Sequence, residues 1–421
     1  MIAATFLFRT FCHLLCPLLL VVIFSGGVGG TPLWEYGASG AVPLSPQAAA
    51  VTTLPVRSEP VVTGLVAVSP STVGRPSLPR LSRPSRFTLP ADRSYRSRTI
   101  TEDTTWSGQV LIEGVLTVAS RATLVINPGA TIRFRPTPEG VAGFLLIRGR
   151  ILATGTADQP ITFTSDEINP TAGDWQGIMF LDSSKKNLLE WCRVESADVG
   201  VAAEFSELLL RQSSLFRCRT GVALRSSTAV VTGGTVSECL TGFFTRDGDS
   251  DLSGGIFSGN GRGIVMKGGS LFLSEAQVTG STENGLEATG GRVHLEANRF
   301  VRNGAGVILT GCRGDLVGSR IQENRMTGLE LADSPLRITG NRISGNGGVG
   351  VVVRSGGGTL WENILEGNKG GELDVTGSGE VVAPANWWGS ADSARIRERI
   401  RENSGGKILF TPQLESPPQL P

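Results

Sequence analysis

The apolar residues between Leu189 and Gly371 return at intervals of 21 or 22 residues. A second apolar set lies five residues before the first, and a third set follows a glycine that stands six or seven residues after it. A fixed period of this length indicates a repeat protein, in which each unit packs against its two neighbours. The first apolar set comprises Val194, Leu215, Val236, Phe257, Val278, Phe300, Ile321, Ile343 and Ile364.

Within one unit, apolar and polar residues alternate around Phe300 and again from Val307 to Leu309. Alternation with a period of two is typical of short β-strands, whereas a helix requires apolar residues three and four positions apart. The 56 glycines also disfavour helices, since each would cost about 1 kcal/mol relative to alanine. A leucine-rich horseshoe shares the repeat length, and the strand pattern makes it the weaker interpretation.

This arrangement resembles the right-handed parallel β-helix repeat, in which each coil contributes about three short strands that pair with the coils above and below. We therefore predict an all-β solenoid with coils about 4.8 Å apart. Amide side chains stand three residues after the first apolar set at Asn260, Asn303, Asn324 and Asn346, and we expect them to pass hydrogen bonds from coil to coil. The glycine before the next strand is expected to take a positive φ at a corner.

The first 98 residues differ in composition from the repeats. Residues 1–30 contain an apolar run from Phe11 to Phe24 followed by small residues, which is typical of a secretory signal peptide. This run is shorter than the roughly 20 residues of a membrane span, so a retained anchor is the weaker alternative. Residues 31–98 are rich in Pro, Ser and Arg and predict a disordered linker, either a plain spacer or an attachment to an anionic envelope polymer.

We predict one elongated domain over residues 99–412. In its last part, Ile396 and Ile400 stand four residues apart, which predicts a short capping helix from Asp392 to Asn403 with Ser390 as its N-cap. The predicted parts are N-terminal capping coils at 99–181, regular coils at 188–375, a C-terminal cap at 386–412 and a tail at 413–421. From Ile100 to Pro412 the chain resembles secreted bacterial proteins of the pectate-lyase-like β-helix superfamily.

Charge and cysteine content exclude several classes of partner. The chain has 39 basic and 38 acidic residues and a net charge of +1, which gives no overall attraction to nucleic acid or to an anionic membrane. Four cysteines remain after the signal peptide, and their spacing matches no zinc motif. Cys218 and Cys239 occupy the same position in consecutive coils, and we interpret them as buried neighbours, with a disulfide as the alternative. The other two are Cys192 and Cys312.

Enzymes that resemble this chain in fold cut or epimerise acidic polysaccharides with clustered acids and cations on one outer face. The best acidic group here is Asp247, Asp249 and Asp251, whose alternate carboxylates could bind Ca²⁺. No acid occupies the corresponding positions one coil earlier or later, which favours a surface turn. His294, the one histidine after the signal peptide, lies beside an inward leucine and is expected to face solvent as an ordinary surface residue.

Three arginines, Arg299, Arg320 and Arg342, occupy the same outward position in successive coils and are expected to form a column. Such a column could hold carboxylates or sulfates of a glycan through bidentate hydrogen bonds. The alternative is a solvated stripe that Glu296, Glu323 and Asn341 balance. The tryptophans could stack on sugars, but most belong to the caps and are expected to close the core.

We therefore predict a secreted, periplasmic or cell-surface scaffold that binds a partner without catalysis, with a polysaccharide as the favoured partner. No cofactor is expected, with Ca²⁺ at the three aspartates as the alternative, and no membrane span is expected after signal cleavage. The first alternative is a polysaccharide lyase, hydrolase or epimerase that acts on an acidic glycan. A second alternative resembles the β-helix protein that helps copper enzymes mature, but the chain has only 4 Met and 2 His to bind copper.

Overall fold

The computed structural model describes residues 90–420, which form a parallel β-solenoid of about 13 turns. The predicted all-β parallel solenoid with one short C-terminal helix is thus confirmed. The predicted signal peptide at 1–30, residues 31–89 of the predicted linker and Pro421 lie outside the described residues. No helix within residues 90–420 has both the length and the apolar character to cross a membrane.

Each coil contributes up to three short strands, and one helix follows near the C-terminal end. The first half of the solenoid contains β1 Arg93–Ile100, β2 Thr104–Trp106, β3 Gln109–Val118, β4 Thr123–Ile126, β5 Thr131–Arg135, β6 Phe144–Ile147, β7 Arg150–Thr154, β8 Ile161–Ser165, β9 Trp175–Leu181, β10 Asn187–Glu190, β11 Cys192–Glu195, β12 Ala197–Glu204, β13 Glu207–Arg211, β14 Ser214–Phe216, β15 Thr220–Arg225, β16 Thr228–Thr232, β17 Thr235–Ser237, β18 Thr241–Arg246, β19 Asp249–Ser253 and β20 Ile256–Ser258. The second half contains β21 Arg262–Lys267, β22 Ser270–Ser274, β23 Gln277–Thr279, β24 Asn284–Thr289, β25 Arg292–Glu296, β26 Arg299–Val301, β27 Ala305–Thr310, β28 Arg313–Val317, β29 Arg320–Gln322, β30 Leu329–Ala332, β31 Leu336–Thr339, β32 Arg342–Ser344, β33 Val351–Arg354, β34 Gly358–Trp361, β35 Ile364–Glu366, β36 Leu373–Thr376, β37 Glu380–Val382, α1 Ser393–Arg399, β38 Ile400–Asn403 and β39 Lys407–Leu409.

The strands form two sheets that run along the solenoid. One sheet has 14 strands, namely β2, every third strand from β4 to β37, and β39. The other has 25 strands and contains two ladders, which the long strands β1 and β3 join. We call the short strands β5, β8 and every third strand to β35 the first ladder, and β6, β9 and every third strand to β36, with β38, the second ladder.

The predicted apolar sets stack as columns inside the solenoid. Phe300 pairs with Ile321 and Ile321 pairs with Ile343, and all three side chains are fully buried. The prediction is wrong at the next coil, where Leu365 pairs with Ile343 and Ile364 falls beside Arg342 instead. A turn with one more residue shifts the register there, and the pattern does not reveal it because both residues are apolar.

The predicted asparagine stack is confirmed. Asn303 donates from Nδ2 to Asn324 Oδ1 at 3.2 Å, Asn324 donates likewise to Asn346 at 2.9 Å, and Asn346 to Asn368 at 2.8 Å. Each Oδ1 also accepts the backbone N–H of the preceding coil's residue, as Asn324 does from Asn303 at 2.9 Å. A second stack, which the sequence analysis missed, runs at the other turn through Asn298, Ser319, Asn341, Asn363 and Asn386.

The glycine at the start of each second-ladder strand from β12 to β33, either within the strand or immediately before it, has a role other than the predicted one. None of these glycines, from Gly200 to Gly350, has a positive φ. A Cβ on Gly242 would instead lie 2.6 Å from the carbonyl oxygen of Gly263 in the next coil. The position therefore requires glycine for close stacking of coils, and positive φ occurs earlier in the turn, at residues such as Arg302 (φ 59) and Glu323 (φ 54).

The solenoid begins earlier than predicted, because β1 starts at Arg93 inside the predicted linker. Residues of β1 find backbone partners on β3, so this segment joins the sheet. Aromatic rings fill the N-terminal coils, as expected of a closed end: Phe134 stacks on Trp175 with centroids 3.9 Å apart. Trp106 is fully buried and donates from Nε1 to the hydroxyl of Tyr95 at 3.1 Å.

The C-terminal helix is shorter than predicted and has a different cap. Asp392 is the N-cap, and its Oδ1 accepts the backbone N–H of Ala394 at 2.9 Å, whereas Ser390 only accepts from the N–H of Asp392. The helix ends at Arg399 because the next four residues form β38, which pairs with β36. Arg399 closes the asparagine stack by binding the buried Glu372 at 2.7 Å.

All four described cysteines are free and buried, which agrees with the interpretation of Cys218 and Cys239 as packed neighbours. Burial raises the pKa of the Cys192 thiol to about 12. A thiol that stays protonated is a weak nucleophile, so Cys192 acts as a small core side chain.

Candidate functional site

The three arginines of the predicted column do lie in register in successive coils. Arg299 pairs with Arg320 and Arg320 with Arg342 across the first ladder. The predicted balancing residues do not serve it: Glu323 pairs with Arg302, and Asn341 is buried in the second asparagine stack.

Arg342 instead meets Glu366 at 3.1 Å. The C-terminal segment also comes close, because Leu420 lines the same groove as Arg320 and Arg342. A ligand role for Arg299, Arg320 and Arg342 stays a prediction.

The three predicted aspartates do not converge. Asp247 lies in the turn before β19 with φ 53, while Asp249 and Asp251 point outward from the strand. As predicted, neither strand position has an acid above or below it. No group of three or more acidic, cysteine or histidine side chains among residues 90–420 is arranged to hold a metal ion, so the geometry adds no support to the Ca²⁺ prediction.

His294 faces outward as expected, but it has close partners on three sides. Its ring stacks on Phe272 of the preceding coil, with centroids 4.7 Å apart and an interplanar angle of 16°. Its Nδ1 is hydrogen-bonded to Asp315 Oδ1 of the following coil, and its Nε2 lies 3.4 Å from Glu296 Oε2. Arg337 in turn lies 3.4 Å from the other oxygen of Asp315.

These side chains form one column on the outer face of the 14-stranded sheet. Strand register places Asp251, Phe272, His294, Asp315 and Arg337 in consecutive coils from β19 to β31. Each stands next to a buried, inward residue of its strand, so strand alternation directs it outward. A parallel column lies two residues earlier on β19 to β28 and contains Asp249, Ser270, Arg292 and Arg313.

We call these two columns together the polar–aromatic face. Phe272 is 39% exposed and lies in the middle of a sheet. Its ring and that of His294 stack on each other, so each covers one face of the other and the pair exposes apolar ring edges among carboxylates and guanidinium groups. Such a surface can pack against the C–H groups of a ligand and can hydrogen-bond its polar groups.

The sequence analysis identified His294 and the aspartates separately and missed Phe272, Arg292, Arg313, Asp315 and Arg337. A signal was available, because each of these residues stands one or three positions before the inward leucine or isoleucine of its coil. Aligning the outward positions of successive coils would have brought the group together.

Two family models match the chain. Residues 98–205 match the model described as a pectate-lyase like beta helix domain, and residues 242–386 match the right handed beta helix region. No curated protein matches the sequence.

Among solved structures, the chain is similar to the periplasmic alginate epimerase AlgG, with 15% identity, 72% of this chain and 77% of that chain covered, and a TM-score of 0.33. It is also similar to the A-module of the mannuronan C-5 epimerase AlgE6 from Azotobacter vinelandii, with 13% identity, coverage of 78% and 92%, and a TM-score of 0.30. A third similar structure is tailspike protein 3 of Bacteriophage CBA120, with 10% identity, coverage of 77% and 57%, and a TM-score of 0.26.

Proposed function

Since the chain is a right-handed parallel β-helix protein with pectate-lyase-like coils, we propose that it binds a polysaccharide on its polar–aromatic face without cleaving it. The protein would act as a scaffold outside the cell or in the cell envelope. The stacked pair of Phe272 and His294 is the observation that carries this proposal.

The ring pair suits a sugar for a physical reason. The faces of a pyranose ring are C–H groups, which pack on aromatic rings, while its hydroxyls need hydrogen-bond partners. Phe272 and His294 supply exposed apolar ring atoms, and Asp251, Asp315 and Arg337 lie above and below them in the same column. Coils repeat about every 4.8 Å, so an extended chain of sugars lying along the solenoid meets several coils at once.

The experiment compares Phe272→Ala with Phe205→Ala, a matched control because Phe205 is also an exposed phenylalanine, at 58%. Migration of both variants through native gels that contain dissolved polysaccharides measures affinity. We expect Phe272→Ala to weaken binding by about tenfold, the value of one lost aromatic stack, while Phe205→Ala stays close to the parent. Circular dichroism checks that the parent and Phe272→Ala are both folded. Equal retardation of the two folded proteins would remove the basis for the proposal.

A second candidate is an enzyme that acts on an acidic glycan, and one contact favours it. The hydrogen bond between His294 Nδ1 and Asp315 orients the imidazole, and Nε2, which lies 3.4 Å from Glu296 Oε2, is the nitrogen that would act as acid or base. Incubating the protein with uronate polymers, and measuring new reducing ends and the absorbance of unsaturated sugars, separates the two candidates. Turnover by the parent that disappears in His294→Gln would show that the protein is an enzyme and would overturn the proposal of a non-catalytic scaffold.

A further inference from the structure

Five cations mark one corner of the solenoid, where the second ladder turns into the 14-stranded sheet. Arg225, Arg246 and Lys267 are the last residues of β15, β18 and β21, and they pair in register across three coils. Arg292 and Arg313 are the first residues of β25 and β28 and continue the row across the next two coils. We call these five residues the basic corner, which offers one cation per coil.

The cations of the basic corner form no ion pair with any acid among residues 90–420. Other exposed arginines do: Arg217 meets Glu238 at 3.1 Å and Arg302 meets Glu323 at 2.9 Å. Like charges in an unpaired row repel one another. Binding of an anion that neutralises them therefore lowers the free energy of the system.

Two details show that the corner is organised before any ligand arrives. Nη2 of Arg225 is buried and has no hydrogen-bond partner within residues 90–420, which is a costly state for a charged group. The Arg246 guanidinium and the Lys267 ammonium each lie 5.8 Å from the ring centroid of the buried Phe244. Packing against this ring restricts both cations, so less entropy is lost on binding.

Part of the corner is open to solvent. Its turns contain glycines, and a Cβ on Gly290 or Gly311 would meet no atom of residues 90–420 within 4 Å. Two acids, Asp247 and Asp249, lie beside the row, and Ser270 Oγ hydrogen-bonds to Asp249. Five cations against two acids leave the corner positive.

We infer that the basic corner binds the carboxylates or sulfates of a linear anionic polysaccharide that lies parallel to the solenoid axis. This inference rests on the proposed function, because it assumes that the polymer is a polysaccharide. Ser270, which lies beside the basic corner, and Phe272 are two residues apart on β22, about 7 Å along a strand. One polymer chain can therefore touch the stacked rings and the cations together, with the rings holding sugar faces and the corner selecting charge.

The experiment uses two pairs of probes that differ in charge: dextran sulfate with dextran, and carboxymethylcellulose with hydroxyethylcellulose. We expect the full-length protein to prefer the charged member of a pair, with an affinity that falls as salt rises. The variant Arg246→Gln, Lys267→Gln, Arg292→Gln should lose about 10- to 100-fold in affinity for it, since each exposed contact contributes a few-fold.

The matched control carries Arg217→Gln, Arg302→Gln and Arg354→Gln, which removes the same charge from arginines that are already paired. It should stay within about threefold of the parent. Equal loss in both variants overturns the inference, since net charge alone would then explain binding.

The outcomes separate this inference from the function it rests on. Binding to neutral and charged probes alike, unchanged in the corner variant, overturns the inference and leaves the polysaccharide scaffold intact. Binding to none of the four probes overturns both. Binding of single-stranded DNA as tightly as the charged glycans shows a general polyanion site and overturns the assignment to polysaccharide.

Discussion

Replacing Asn324 by alanine tests whether the asparagine stack stabilises the solenoid. Asn324 is buried at 1% exposure, and its side chain makes four hydrogen bonds. Its Oδ1 accepts from the backbone and the side chain of Asn303, and its Nδ2 donates to the carbonyl of Phe300 and to Asn346. Alanine removes all four and leaves buried groups of three residues without these partners.

The expected loss follows from this count. A buried hydrogen bond contributes about 1 kcal/mol net, and a buried group left without a partner costs about 1–3 kcal/mol. Asn324→Ala should therefore lower the free energy of unfolding by about 4 kcal/mol. Asn284→Ala is the control, because half-buried Asn284 makes one side-chain hydrogen bond, to Glu287 at 3.1 Å, and should lose less than about 1 kcal/mol.

Equilibrium denaturation in guanidinium chloride, followed by far-ultraviolet circular dichroism, measures both variants. The slope with denaturant should stay close to that of the parent, since the same surface unfolds. A loss below about 1 kcal/mol for Asn324→Ala, or one equal to that of Asn284→Ala, would refute the reasoning. The stack would then be a consequence of coil packing and not a source of stability.

Two further predictions concern the core. Gly242→Ala should destabilise the protein by about 1–3 kcal/mol because its Cβ would clash with a carbonyl oxygen of the next coil. Gly358→Ala is the control and should not destabilise it, since its Cβ would lie 3.4 Å from the nearest atom. Equal denaturation midpoints for the two variants would contradict this prediction. Burial raises the pKa of Cys192 from 9.0 to about 12. Above about pH 9 the thiol of the unfolded chain therefore loses a proton that the folded protein keeps, and the free energy of unfolding falls as the pH rises toward 12. Cys192→Ala should reduce the steepness of that fall in the pH dependence of the unfolding midpoint, and an unchanged profile would show that the thiol does not contribute.

The errors in the predicted fold have specific physical causes. The glycine before each second-ladder strand was assigned a positive φ, but glycine also serves where backbones approach closely, and the sequence alone does not separate the two needs. The shift from Ile364 to Leu365 arose because a turn can absorb one residue while the strand stays apolar. The helix ended early because residues after Arg399 found backbone partners on β36, a contact that local periodicity does not report.

The candidate site was predictable only in part. Alternation around Leu295 placed His294 outward, as the structure has it. Its contacts depend on residues 22 positions before and 21 positions after it, Phe272 and Asp315, and therefore on the register of two coils.

By itself, the sequence determined the repeat, the strands and the inward columns, because every coil must offer its neighbours the same apolar positions and any drift would expose the core. Only the tertiary structure decided which charged side chains meet. Arg302 reaches Glu323, whereas Arg246 and Lys267 lie against Phe244 and form no ion pair within residues 90–420. That difference depends on side-chain directions at the corners, since long flexible side chains can reach several partners and only the three-dimensional arrangement selects one.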